Sequence, residues 1–210
     1  MRTIQEISQL IFPARCLGCH KLSSIICAHC LEQWKVSEFK IKYSDLIVHS
    51  AILYTPVAAK IILAAKENGT ATADQLLIQT IMRQIQKTAV DLNHIRLVPI
   101  PSSKRSSRSR GRSFMVDIVQ QISYQMGIPM LDCLELTGKT TDQTGLNRAQ
   151  RLQNMKGSMS MKAMARGELI LIDDVITTGA TLKEAARALN SQGFYARISA
   201  ITACVAQPLR

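Results

Sequence analysis

The sequence predicts an α/β protein with a mainly parallel sheet and a small four-cysteine module in front of it. Three observations predict this. From residue 46 onward, short apolar runs alternate with segments of helical period, the pattern of β-α-β units. The run Leu169 to Ile172 is apolar throughout, as a strand buried on both faces of a parallel sheet requires. Cys16, Cys19, Cys27 and Cys30 form two C-x-x-C pairs close to the start of the 210-residue chain. The division that follows is a module over 1–40 and an α/β domain over 41–210, and no internal repeat is present.

In the first module, Ile4, Ile7, Leu10 and Ile11 recur at helical spacing in an opening of mixed polarity. That suits a short amphipathic helix and not a signal peptide. Clustered cysteines in a cytosolic chain suggest metal before disulfides. Four thiolates close a tetrahedral Zn²⁺ site, and Gly18 eases the first knuckle. With no open coordination position the zinc would be structural, supplying folding energy that forty residues cannot find in their own core. His20 and His29 are alternative ligands, and a redox pair is the other reading of a C-x-x-C. Cys133 and Cys204 read as buried free thiols, and Trp34 as part of a small core.

The α/β elements follow in order. Leu46 to Tyr54 reads as a strand. Pro56 opens a helix toward Lys66, proline being tolerated in a first turn. Ala73 to Ala89 carries Leu76, Leu77, Ile81 and Ile85 on one helical face. Ile95 to Ile100 is a short strand ending at Pro101. Phe114 to Met126 is a helix closed by Gly127. Leu169 to Ile172 is the central strand, Leu182 to Asn190 a helix, and Phe194 to Val205 a last strand region.

The segment with most chemistry follows the central strand: Asp173-Asp-Val-Ile-Thr-Thr-Gly-Ala-Thr181. Ligands of open α/β sheets bind beyond the carboxyl ends of strands. A helix N-terminus there offers free N–H groups and a positive dipole end. Gly179 lets the backbone approach a phosphate, and threonine hydroxyls add uncharged donors. Asp173 and Asp174 would repel a phosphate but accept from vicinal ribose hydroxyls. Together they describe a site for a ribose 5-phosphate. A capping box, Thr181 with Glu184, would account for those two residues alone.

The net charge of +11 points to an anionic partner: nucleic acid, a phosphorylated small molecule or an anionic membrane surface. Lys104, Arg105, Arg108, Arg110 and Arg112 concentrate in the stretch Ser102 to Ser113, read as a loop, either solvated or anion-binding. Arg148 and Arg151, an i,i+3 pair, and Lys156 form a second basic stretch. Aromatics make up only 4% of the chain, so contact with single-stranded DNA would rest on phosphate charge and arginine stacking. No apolar run approaches a bilayer span, so the expected location is cytoplasmic.

The segment Asp173 to Thr181 resembles the phosphoribosyl pyrophosphate motif of type I phosphoribosyltransferases. The resemblance implies that fold, with ribose hydroxyls on Asp173 and Asp174 and the 5-phosphate on Thr177, Thr178, Gly179, Ala180 and Thr181, Val175 lying within the motif. It also implies Mg²⁺ carried with the pyrophosphate. Ile11-Phe-Pro-Ala-Arg-Cys16, the two knuckles and Thr141 to Asn154 resemble the ComF family (ComFC-like proteins), which is associated with DNA uptake in natural competence. By that resemblance Lys66 lies near the pyrophosphate, and Arg148 and Arg151 belong to a segment that closes over the ligand. The chain departs from the family at Arg110-Gly-Arg-Ser-Phe114, where an arginine-glycine-phenylalanine-asparagine-glutamine run is usual.

Three functions are therefore expected, in this order. The first is a binding protein for phosphoribosyl pyrophosphate or a 5-phosphorylated ribose in DNA uptake, with single-stranded DNA and competence proteins such as a DNA-uptake helicase as partners. The second is an active phosphoribosyltransferase of nucleobase salvage, with Asp173 and Asp174 catalytic. The third is a sensor of phosphoribosyl pyrophosphate.

Overall fold

A computed structural model describes residues 15–22, 25–43, 45–88, 92–138, 155–191 and 197–206. Its centre is a five-stranded sheet made of β1 (Phe39–Tyr43), β2 (Leu46–Leu53), β3 (Ile95–Pro99), β6 (Glu168–Ile176) and β7 (Ile198–Val205). The order is β1-β2-β7-β6-β3. The last four strands in that order are mutually parallel, and only β1 runs antiparallel, against β2. The mainly parallel α/β fold expected from the sequence is thus present.

Side chains alternate across the sheet, so each strand feeds two cores. Ile170 and Ile172 of β6 and Ile201 of β7 pack with helices α2 (Pro56–Lys66), α3 (Ala71–Thr88) and α5 (Phe114–Met126). Leu169, Leu171 and Ala200 face the other way, onto α6 (Ala180–Asn190) and a two-stranded antiparallel ribbon of β4 (Leu134–Leu136) and β5 (Met159–Met161). This two-sided burial is why Leu169 to Ile172 contains no polar residue. Thr55 caps α2 by accepting from the Ala58 N–H, and Pro56 occupies the first helical position as expected. Gly127 ends α5 in the left-handed conformation, at φ 67°.

The cysteine segment, which includes the short helix α1 (Ala28–Gln33), packs on the first of these cores. Cys16, Cys30 and Trp34 are buried in the same cluster as Ala51, Val57 and Leu77. The Trp34 indole N–H donates to Thr80 Oγ1 at 3.1 Å, so Trp34 is a core residue and not a stacking platform.

Three expectations are corrected. The Ser102–Ser113 stretch is not a loop: it contains helix α4 (Lys104–Arg110). Ser103 Oγ accepts from the Ser106 N–H at 3.1 Å, and Gly111 stops the helix at φ 68°. Capping at both ends forms this helix without any apolar period. The central strand does not end at Ile172 but continues to Ile176, with Asp173 paired beside Thr202 of β7. The Thr181–Glu184 capping box does not form. Gly179 takes the N-cap position, and Glu184 instead accepts from the Met159 N–H and from Arg187. The expected opening helix, the Ile11–Ala14 part of the family resemblance and the stretch Thr141–Asn154 lie outside the described residues.

Candidate functional site

The cleft lies beyond the carboxyl ends of β3 and β6, has a volume of about 740 Å³, and is lined by Lys66, Arg105, Arg110, Asp173, Asp174 and Thr181 among others. Its floor is the end of β6. There the Asp173 carboxylate accepts from the Asp174 N–H at 2.9 Å, and Asp174 Oδ1 accepts from the Val175 N–H at 3.0 Å. Its wall is the last residue of α2, where Lys66 Nζ donates to Asp174 Oδ2 at 2.8 Å. A lysine ending one helix and an aspartate in the last third of the central strand, 108 positions apart, thus meet where a ligand would enter.

The charges are unevenly shared. Burial, then the neighbouring Asp174 charge, pushes the Asp173 carboxyl well above the usual carboxylate range. Burial works to lower the Lys66 ammonium, but Asp174 outweighs it and holds Lys66 above its ordinary value. The end of β6 therefore sets two carboxyl groups against a lysine that is held as a cation. That combination can both donate to and accept from a vicinal diol.

The loop after β6 turns at Gly179, which has φ 73°. A Cβ there would sit 2.7 Å from Tyr43 Cζ, so glycine is needed for space as well as for conformation. Thr177 is exposed, Thr178 half-buried, and Gly179 and Ala180 buried. The Ala180 N–H points to Thr178 Oγ1 at 3.4 Å.

The basic residues of α4 divide. Arg105 and Arg110 line the ligand cleft. Arg110 Nε donates to the Ser106 carbonyl at 2.9 Å, while its Nη1 is buried without a protein partner. Arg108 is exposed, and Lys104 lines an adjoining, smaller cavity with Asp132 and Lys162. Arg112 belongs to neither group. Its guanidinium binds both oxygens of Asp74, at 2.7 and 2.9 Å, in a largely buried pair. Arg148 and Arg151 lie outside the described residues. No motif or period points to Met155 and Met159, which form part of the cleft wall, or to Tyr43 against the loop.

The four-cysteine cluster is tight. The sulfurs of Cys16, Cys19, Cys27 and Cys30 all lie within 4.8 Å of one another. Cys19 and Cys27 Sγ are 3.7 Å apart. The edge of a ZnS₄ tetrahedron with bonds of about 2.3 Å is about 3.75 Å, so the donor set fits. The first knuckle is folded by His20 N–H to the Cys16 carbonyl, with His20 itself at φ 62°. Burial raises the Cys16 thiol, but backbone N–H donors, led by that of Cys27, bring it down to about 6. Burial and the sulfurs around it push Cys30 up to about 12. A divalent cation would remove that conflict by deprotonating all four. The cluster could therefore hold a metal such as zinc. His20 and His29 are both exposed, and His29 is within hydrogen-bond distance of Gln33, outside the cluster. Cys133 and Cys204 are buried free thiols, as expected.

No family model matches the chain. It is 34% identical over 103 residues to competence protein F of Haemophilus influenzae, a match covering 46% of this chain and 44% of that protein. It therefore spans less than half of that relative. It is 24% identical over 177 residues to the DNA utilization protein YhgH of Salmonella typhimurium, covering 81% and 74% of the two chains, and equally to YhgH of Salmonella typhi. These relatives support placing the chain in the ComF family.

Proposed function

We propose that this protein binds phosphoribosyl pyrophosphate, or the 5-phosphorylated ribose of a nucleic-acid end, and acts in the use of incoming DNA during natural competence. The single observation that carries the ligand reading is the meeting of Lys66, Asp173 and Asp174 beside the Thr177–Thr181 turn at the start of α6. In this reading the 5-phosphate rests on the loop and the ribose hydroxyls on the two aspartates. Mg²⁺ arrives with the pyrophosphate and is held by its oxygens and water. Lys66, Arg105 and Arg110 face the remaining phosphates, and Arg148 and Arg151 are further ligand residues by the family resemblance. The DNA part rests on the competence and DNA-utilization names of the relatives and on the net charge of +11. Lys104, Arg105, Arg108 and Arg110 are its contact residues, with single-stranded DNA as ligand and a DNA-uptake helicase as a partner in the cytoplasm. Residues 1–40 form the zinc module and 41–210 the ligand domain. No helix among the described residues is long and apolar enough to cross a membrane.

A second reading, transfer of the phosphoribosyl group to a nucleobase, is favoured by one observation. A cavity of about 270 Å³ adjoins the cleft, sharing Ile100, Pro101, Ser102, Met115 and Leu136, and offers Ser107, Ser113 and Asp132 as polar groups. In that reaction the base attacks ribose C1 as pyrophosphate leaves, and Asp173 and Asp174 stabilise the developing positive charge.

Calorimetry with phosphoribosyl pyrophosphate and Mg²⁺ tests the first reading. Wild-type protein should bind, and the Asp173→Ala, Asp174→Ala double variant should not. Unchanged affinity in that variant sinks the site assignment. Pyrophosphate release across a panel of nucleobases separates the readings: release identifies an enzyme and its acceptor, and silence leaves the binding protein.

A further inference from the structure

Arg112 was expected among the nucleic-acid contacts, yet its guanidinium is occupied inside the protein. Nη1 and Nη2 grip Asp74, which stands in the first turn of α3 and is buried. Nη2 also donates to the Ala65 carbonyl at 3.0 Å. That carbonyl belongs to the last turn of α2, where helical partners run out, and Ala65 directly precedes Lys66. The same arginine lies over the ring of Phe114, its Cζ 5.1 Å from the centroid. Lys66 Nζ lies over that ring as well, at 5.9 Å, while it binds Asp174. Phe114 is fully buried and opens α5. Three helices thus meet around one lysine: α2 carries it, α3 anchors its clamp, and α5 supplies the ring beneath it.

We propose that Arg112 is a positioning residue for the ligand cleft. By joining Asp74 to the Ala65 carbonyl above Phe114, it fixes the end of α2 so that Lys66 is held on Asp174. A long lysine side chain has many rotamers, and holding one of them before the ligand arrives removes an ordering cost from binding. The planar fork matters, because one group must meet a carboxylate and a carbonyl at once, and a lysine in its place presents a single point charge. The proposal rests on the ligand reading above for its consequence, but the contact chain it describes exists without ligand.

Two measurements test it. The first needs no ligand: pulse labelling of lysine amines with an acetylating reagent, read at Lys66 by mass spectrometry. Arg112→Gln and Asp74→Asn should each raise Lys66 labelling several-fold over wild type, with Lys40, exposed on the edge strand β1, as the internal standard. Unchanged Lys66 labelling in both variants overturns the proposal, whatever the protein binds. The second is a double-mutant cycle on the affinity for phosphoribosyl pyrophosphate with Mg²⁺. Arg112→Gln should weaken binding about tenfold in the wild-type background and hardly at all beside Lys66→Met, because the clamp then has nothing to position. Arg112→Lys should not restore affinity. Equal losses in both backgrounds would mean that Arg112 acts only on overall stability, and would overturn the positioning role. If wild-type protein does not bind the probe, the ligand reading fails and the labelling result alone decides for or against the clamp.

Discussion

Gly18→Ala is a one-methyl test of the four-cysteine centre. The added Cβ would lie 2.7 Å from Cys30 Sγ, 2.9 Å from Val57 Cγ1 and 3.0 Å from Cys30 Cβ. Relaxed contacts of this kind sit at about 3.5–4.0 Å, so Cys30 or the knuckle must move by about 1 Å. Metal–sulfur bonds tolerate about 0.2 Å. Val57 belongs to the core and Cys30 is fully buried, so neither has free space into which to retreat. The expected result is a metal affinity lower by about 10–100-fold, or about 1.4–2.8 kcal/mol. An overpacking cost of about 1–3 kcal/mol should accompany it in the folded state. The assay is retention of zinc against a chelator of graded strength, read by elemental mass spectrometry, with thermal melting of loaded and stripped protein in parallel. Wild type should hold about one zinc per chain. The melting difference between variant and wild type should be larger for loaded than for stripped protein. Zinc retention equal to wild type across the chelator series would refute the steric argument.

Two further outcomes follow from buried polar groups. Trp34→Phe removes the donor to Thr80 Oγ1 and leaves that buried hydroxyl unpaired, so urea unfolding should show a loss of about 1–3 kcal/mol, most of it recovered by adding Thr80→Val. Burial raises the Glu184 carboxyl, but Arg187 and the Met159 N–H outweigh it and hold Glu184 below its usual value. The stability it contributes is therefore fully present above the unfolded value of about 4.3 and lost as pH falls through the lower folded value. Glu184→Gln should flatten the acid side of the stability profile below about pH 4.3 and leave its alkaline side unchanged in slope.

The features legible in the sequence are those fixed by a few adjacent residues. The apolar run Leu169 to Ile172 announced a strand buried on both faces, Pro56 and Gly127 marked helix ends, and the cysteine spacing announced a cluster. Asp173 and Asp174 stand at the C-terminal end of the apolar run, so the run alone does not carry the strand through them. Here they belong to it because β6 stays paired with β7 as far as Ile176, with Asp173 beside Thr202 where the strand meets the cleft. Helix α4 was invisible to periodicity, since none of its residues is buried and only its caps define it. The roles of its arginines were equally hidden. Whether an arginine faces a cleft, as Arg110 does, or a buried carboxylate 38 positions away, as Arg112 does, is set by tertiary packing. The strands β1, β4 and β5 are too short to show a period, and β4 pairs with β5 across 23 positions even at the nearest pair, Leu136 with Met159.

The place of β7 between β2 and β6 bears on how the chain is made. β2 pairs with β7 through contacts such as Ile47 with Ser199, about 150 residues apart. At a synthesis rate of about 5–20 residues per second, β2 and its hairpin partner β1 wait about 8–30 s for β7 to emerge. In that interval Val48 and Ala51, later fully buried, have no sheet to join, and the backbone of β2 is open along one side. Lys40 and Lys42, exposed on β1, place like charges on the nascent hairpin and discourage two such chains from pairing. The final docking of β7 is then a late, long-range step, so substitutions in β7 should slow folding more than equal losses of stability placed in α2 or α3.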